Sequence, residues 1–284
     1  MKAYLDCYPC FLRQALSASR HAGANPQQQL AVVRRSLSLL EKLPAEATPP
    51  EIAYRLHRIV RDEIGAADPY RQAKKESTRQ ALALYPDLKE RVRRSHDPID
   101  TALRLSIAGN IIDLGAADDY DNLGKVIERV LSQPFALDHR KRLLTALDWA
   151  DHVLFLADNA GETVFDRILI ETLPVPSVYA VKKSPVINDA TAADAAEAGL
   201  CGIASVIDNG TDAPGTILRQ CSPEFINAFE VAPVVIAKGQ ANYETLSETD
   251  PKVFCLLQIK CPVIARDIGA PVGGIAVLQA RSHR

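Results

Sequence analysis

After Trp149 the chain becomes a succession of short apolar runs, HVLFLA, SVYAV, IASVI, PVVIA and PVIA, most of them separated by stretches long enough for a helix. Few architectures accept that pattern. Strand, crossover helix and parallel strand, repeated with one hand, give a doubly wound sheet whose strand-following loops emerge at a common edge. A run as apolar as PVVIA belongs to a strand covered on both faces.

From Phe11 to about Ala150 the apolar residues recur mostly at helical spacing, with boundaries at Gly23, Asn25-Pro26, Pro44, Pro49-Pro50, Asp97-Pro98 and Gly115. The expected fold class is therefore α/β: an N-terminal helical bundle followed by a mostly parallel, Rossmann-like α/β/α sheet domain. Residues 1–95 are assigned to the helical domain and 96–284 to the sheet domain. The boundary is soft over 95–150, because no Gly/Pro/Ser-rich linker marks it. A helix carrying Asn110, with Leu103, Ile107 and Ile111 sharing a face, is a candidate to pack on the sheet. The single Trp149 is expected in the core. The segment RQAKKESTR (71–79) reads as a solvated helix face from which a lysine or glutamate could reach the sheet edge.

With 284 residues, 47% of them hydrophobic, the chain can bury a substantial core. Thirty-three basic against 35 acidic side chains leave no basic field for nucleic acid. No apolar run approaches the ~18 residues of a membrane span, and no apolar h-region of a signal peptide lies behind MKAYLDCYPC, so a cytoplasmic, membrane-free protein is expected. Oligomeric state is not written in the sequence. Six cysteines in a chain with an ample core are expected reduced. No His-x-x-x-His pair occurs, so a bound metal should be held mainly by oxygen.

Chemistry can gather in the loops that leave the strand ends. HVLFLA runs into Asp158-Asn159-Ala160-Gly161-Glu162, a carboxylate and a carboxamide at a carboxyl edge. Helix capping by Asp158 or Asn159 explains the isolated pentapeptide equally well. SVYAV leads into a loop that brings Lys182, Asn188 and Asp189 to the same edge, with capping again the competing account. Asp208-Asn209-Gly210 is read as a turn. PVVIA delivers Lys238 at a strand end, then Gly239, which lets the backbone approach a ligand, and further on Asn242 and Glu244. Topology turns Asp158, Asn159, Lys182, Asp189, Lys238 and Asn242 toward one crevice. Two carboxylates and an amide oxygen suit Mg²⁺ or Mn²⁺, and the lysines supply charge for phosphate oxygens, so the crevice is read as a phosphate-ester site.

The segments CYPC, AGNIID, ADNAGE, VKKSPVINDAT, AKGQANYE and KCPVIARDIGAPVG, in this order and across nearly the whole chain, resemble the damage-control phosphatase family, once catalogued as a domain of unknown function, in its prokaryotic-type branch with an N-terminal Cys-x-x-Cys. The resemblance implies a divalent metal (Mg, Mn, Co or Ni) held by Asp158, Asn159 and Asp189, Lys238 at the substrate phosphate, and Asn110 and Asp113 as a further polar pair beside the pocket. Asp158, Asp189 and Lys238 are the candidate catalytic residues. Asn110, Asp113, Lys182, Gly239, Asn242 and Glu244 are the candidate substrate-binding ones. Implied substrates are small phosphorylated metabolites, including sugar phosphates and damaged or side-product phosphates. Attack by water and an aspartyl-phosphate route through Asp158 or Asp189 both stay open.

Cys7 and Cys10 supply half of a four-ligand zinc site, with Cys261 the candidate third member of a structural zinc centre. Thiols without metal and a redox pair are the competing accounts. Two other function classes remain in view. A nucleotide- or S-adenosylmethionine-dependent transferase is disfavoured, because no Gly-x-Gly-x-x-Gly succeeds the first strand and an acid stands where a pyrophosphate would approach. A metabolite-binding or redox-sensing module without turnover would use the same crevice.

Overall fold

The computed structural model describes residues 1–44, 46–111 and 120–282. The helical half opens with α1 (Cys7–His21), α2 (Pro26–Glu41) and α3 (Pro49–Ile64). Local chemistry fixes their starts. Asn25 and Gln28 form a capping box ahead of α2, Thr48 and Glu51 form one ahead of α3, and a proline comes after each cap at the position that needs no amide proton. The three helices bury Phe11, Ala15, Val32, Leu40, Ile52, Leu56 and Val60 in a core of their own. Next, α4 (Arg71–Arg94) and α5 (Pro98–Ile111) leave that core and bury Ala81, Leu88, Leu103 and Ile107 against the sheet half. The Asn110 helix thus packs on the sheet.

Beyond α6 (Tyr120–Ser132) the chain forms β1 (Phe135–Asp138), α7 (Arg140–Leu147), β2 (Val153–Leu156), α8 (Thr163–Ile170), β3 (Ser177–Val181), α9 (Ala192–Glu197) and β4 (Ser205–Asp208). It continues through α10 (Pro223–Val231), β5 (Val234–Lys238), α11 (Gly239–Leu246), β6 (Val253–Gln258), α12 (Pro262–Ile268) and β7 (Ile275–Gln279). The seven strands make one sheet in the order β1-β7-β6-β5-β2-β3-β4. Strands β6, β5, β2, β3 and β4 run parallel; β7 is antiparallel to β6, and β1 is parallel to β7. Alternate side chains enter two different cores. Phe155, Tyr179, Ile236 and Phe254 face α5 and α8, whereas Leu154, Leu156, Val235 and Cys255 face Phe225, Tyr243 and Ile264 of α10, α11 and α12.

Three expectations need correction. PVIA is not a strand: Pro262 starts α12, a position where proline fits a helix and would break a sheet ladder. The strand lies just before it, in the run VFCLLQ of β6. Trp149 is 88% exposed, because it sits in the turn between α7 and β2, outside the sheet edge. Finally, β1 interrupts the stretch before Ala150 read as largely helical.

The winding direction reverses at β2. The chain proceeds outward through β3 and β4, then returns to add β5 on the other side of β2. The loops after β2 and β5 therefore diverge and leave a crevice between them at their carboxyl ends.

Candidate active site

Strand register places the site. Leu156 pairs with Ala237 across β2 and β5, so Asp158 and Gly239 leave the sheet side by side. Gly239 has φ +77°, and a Cβ there would overlap Asp158 Oδ2. The loop after β3 is stitched to the same corner. Ala190 N donates to Asp158 O (2.8 Å), Lys182 N donates to Ala190 O (2.8 Å), and Asn159 forms an isolated bridge with Asp189. Asp158 and Asp189 are thereby buried as neighbours.

Around them lies a buried polar cluster. Asn110, from the end of α5, donates through Nδ2 to Asp158 Oδ2 (2.8 Å) and to Glu162 Oε1 (2.7 Å). Asn159 Nδ2 donates to the same two oxygens, at 3.2 and 2.5 Å. Lys238 is wholly buried, and its Nζ donates to Ser106 O (2.9 Å), Glu162 Oε2 (3.2 Å) and Asp166 Oδ1 (2.6 Å). Those bonds use its three protons. Lys182 is buried as well, donating to Gly215 O with Asp189 Oδ2 at 3.7 Å.

Burial sets the electrostatics. Removal from water raises the Asp158 carboxyl well above its ordinary range, Glu162 and Asp189 add to the rise, and Lys260 and Lys238 oppose it. Burial also raises Asp189, against the pull of Lys182. Lys238 loses solvation, but Asp166 and Glu162 outweigh that loss and hold it protonated above its usual range. Four buried carboxylates (Asp158, Glu162, Asp166 and Asp189) thus surround two ammonium groups, Lys182 and Lys238. Fully ionised, this set carries an excess of two negative charges. Among the described residues, Asn110 Oδ1 and Asp189 Oδ2 are buried without a hydrogen-bond partner. Buried oxygens that accept no hydrogen bond, beside surplus negative charge, fit a hard divalent cation, with oxygen donors from Asp158, Asn159 and Asp189.

The structure brings Asn110, Asp158, Asn159, Lys182, Asp189, Lys238 and Gly239 together. It does not bring in every candidate. Asn242 is a brace: Nδ2 donates to Ala157 O (3.1 Å) and Lys238 O (2.8 Å), while Oδ1 accepts from Thr216 Oγ1 (2.8 Å). Glu244 Oε1 accepts from Gln240 Nε2 (2.8 Å), and its carboxyl is close enough to Cys7 to help raise that thiol. Asp113 lies outside the described residues. The Cys261 and Cys10 thiols also help raise Cys7. Among the described residues, no group of three or more His, Cys, Asp or Glu is arranged to hold a metal.

Several participants escaped the sequence reading. Glu162 lies inside the quoted ADNAGE segment but points inward rather than capping. Asp166, one turn further along, accepts from Ser106 Oγ (2.8 Å) and Tyr179 Oη (2.9 Å) as well as from Lys238. Lys260, exposed at the end of β6, reaches Asp158 electrostatically. Its signal was the apolar run VFCLLQIK, which marks another strand end on the same edge. Lys74 of α4 is buried on Asp194 (2.9 Å) and Asp68 (3.3 Å), not solvated as its segment suggested.

A doubly wound sheet with acidic oxygens and lysines gathered at its switch point defines an α/β enzyme of the phosphate-ester class. The damage-control phosphatase ARMT1-like domain matches residues 3–275, and the chain belongs to this family. A damage-control phosphatase of Pyrococcus horikoshii is 35% identical over 98% of both chains, and one of Archaeoglobus fulgidus is 34% identical over 96% of this chain and 97% of that one. The crystal structure of a DUF89 family protein from Pyrococcus horikoshii superposes with a TM-score of 0.92 at 32% identity, covering 99% of this chain and all of the other. The chain is a phosphatase of that family. Among the described residues, no helix is long and apolar enough to cross a membrane.

Proposed function

We propose that the chain is a divalent-metal-dependent phosphomonoester hydrolase acting on small phosphorylated metabolites, sugar phosphates or related damaged and side-product phosphates, in the cytoplasm. The observation that carries this reading is the buried cluster at the β2/β5 switch point, with two oxygens that accept no hydrogen bond among the described residues and more acid than base. Asp158, Asn159 and Asp189 would hold the cation. When bound, it would supply Lewis-acid polarisation and charge neutralisation at the phosphoryl group. Asp158 Oδ2 is held by Asn110 and Asn159, and among the described residues no donor reaches Oδ1, which is left for the crevice. Lys260, exposed and without a hydrogen bond or ion pair among the described residues, would meet the phosphate at the crevice mouth. Lys238 would act from behind, with its three protons already engaged.

The test is phosphate release from a panel of sugar phosphates and an aryl phosphate by metal-stripped protein, with Mg²⁺, Mn²⁺, Co²⁺ or Ni²⁺ restored singly. Metal-restored turnover is expected for the wild type and absent in Asp158→Ala, with Lys260→Ala raising KM. Tight ligand binding with no turnover under any metal would replace this reading by the binding-module one. The Cys-x-x-Cys supports assignment to the prokaryotic-type branch. A structural zinc on Cys7, Cys10 and Cys261 is a separate proposal, and unchanged zinc content in the Cys7→Ser, Cys10→Ser protein would remove it.

A further inference from the structure

Asp166 lies behind the crevice on α8, fully buried, and accepts hydrogen bonds from three other elements. Ser106 Oγ of α5 (2.8 Å) and Lys238 Nζ of β5 (2.6 Å) meet Oδ1, and Tyr179 Oη of β3 (2.9 Å) meets Oδ2. Stability alone does not call for such a buried pair, because well-packed apolar groups do as well. The geometry supplies another role. With one Lys238 proton on Ser106 O and one on Asp166, the third has a single direction, toward Glu162 Oε2 (3.2 Å). Glu162 then presents its other oxygen to Asn110 Nδ2 (2.7 Å) and Asn159 Nδ2 (2.5 Å). A carboxamide whose NH₂ is taken by a carboxylate must show its oxygen on the opposite side. Asn110 Oδ1 is accordingly buried with no donor among the described residues.

We infer that Asp166 is a positioning residue: through Lys238 and Glu162 it turns the Asn110 and Asn159 carboxamides so that their oxygens are presented to a cation. This rests on the metal-dependent reading above and adds Asn110 Oδ1 to the oxygens that would face the cation. Asp166 also neutralises Lys238 from behind, so that Glu162 need not do so alone. Without that carboxylate, Lys238 draws Glu162 to itself, the carboxamides lose the acceptor that orients them, and the cluster loses one negative charge.

The experiment is calorimetric titration of the metal-stripped full-length protein with Mn²⁺, for wild type, Asp166→Asn and Tyr179→Phe, beside thermal unfolding of each. Asp166 stands beyond Glu162, the direct partner of the carboxamides, so Asp166→Asn should weaken Mn²⁺ binding by about 10-fold, the low end for outer partners of metal ligands, while unfolding stays cooperative. Tyr179→Phe, which removes one donor from Asp166 and keeps the ring, should weaken it in the same direction by less. Mn²⁺ affinity within about twofold of wild type in a folded Asp166→Asn overturns the inference. If Asp166→Asn does not fold, Tyr179→Phe decides: reduced affinity supports the positioning role, and unchanged affinity overturns it. A wild type that takes up no Mn²⁺ overturns the metal reading of the site and this inference with it, whereas equal uptake by wild type and Asp166→Asn overturns this inference alone.

Discussion

A lysine with no exposed atom is not a solvated charge, and Lys238 shows how far single residues could be read from their neighbours in sequence. Asp158, Asn159, Asp189 and Lys238 were legible because each comes after an apolar run whose strand fixes where it emerges. Ser106, Asp166 and Tyr179 were not. In TVFDRILI an aspartate looks like the polar face of an amphipathic helix, and only partners 60 and 72 residues away, Ser106 and Lys238, reveal its role. Gly239 is the sharpest residue-scale test. Alanine there would adopt a left-handed conformation, at a cost of roughly 1–2 kcal/mol, and would drive its Cβ into Asp158 Oδ2. Gly239→Ala is expected to fold with a lowered melting temperature and to lose on the order of 100-fold in kcat, because Asp158 is displaced. Wild-type kcat in the variant would show that Asp158 tolerates the shift.

At the scale of elements, the helices and central strands were legible from caps and apolar periodicity, whereas β6 and β7 were not. VFCLLQ is a short continuous apolar run that periodicity alone does not separate from a buried helix segment, and PVIA has strand composition until its proline is placed at a helix start. The element with the clearest consequence is α3. His57 is 3% exposed, its Nε2 has no hydrogen-bond partner among the described residues, and burial with Arg61 nearby lowers it to about 4. Its folded pKa lies below the unfolded value, so its contribution is present above about pH 6.5 and lost as pH falls toward 4. A drop of that size corresponds to about 3 kcal/mol. Glu244 works oppositely: burial raises it to about 7, so its contribution is present below about pH 4.5 and lost as pH rises through 7. Urea unfolding of wild type and His57→Leu between about pH 7 and 4.5 separates the two. The variant should lose less stability on acidification, and parallel curves would mean that His57 does not control the acid limb.

At the scale of the whole molecule, the helical half is tied to the loops that build the crevice. Arg61 of α3 donates to Pro185 O (2.7 Å) and pairs with Asp212, and Lys74 of α4 pairs with Asp194, whose carboxylate also accepts from Thr191 N (2.8 Å) at the end of the Asp189 loop. The sequence left room for a lysine of RQAKKESTR to reach the sheet edge from an otherwise solvated face; which loop it would hold was not legible, since the pairing spans 120 residues for Lys74 and Asp194. A cation bound by Asp158, Asn159 and Asp189 would therefore stabilise a loop gripped from both halves, and both should gain together. At a Mn²⁺ concentration about 100 times Kd, linkage gives about 2.7 kcal/mol, which for a chain of this size raises Tm by roughly 4–5 °C. Scanning calorimetry should show one transition moving by that amount in the wild type and not moving in Asp158→Ala. Two transitions, only the upper of which responds to Mn²⁺, would instead show that the helical half unfolds independently and that Lys74 and Arg61 do not join it to the site.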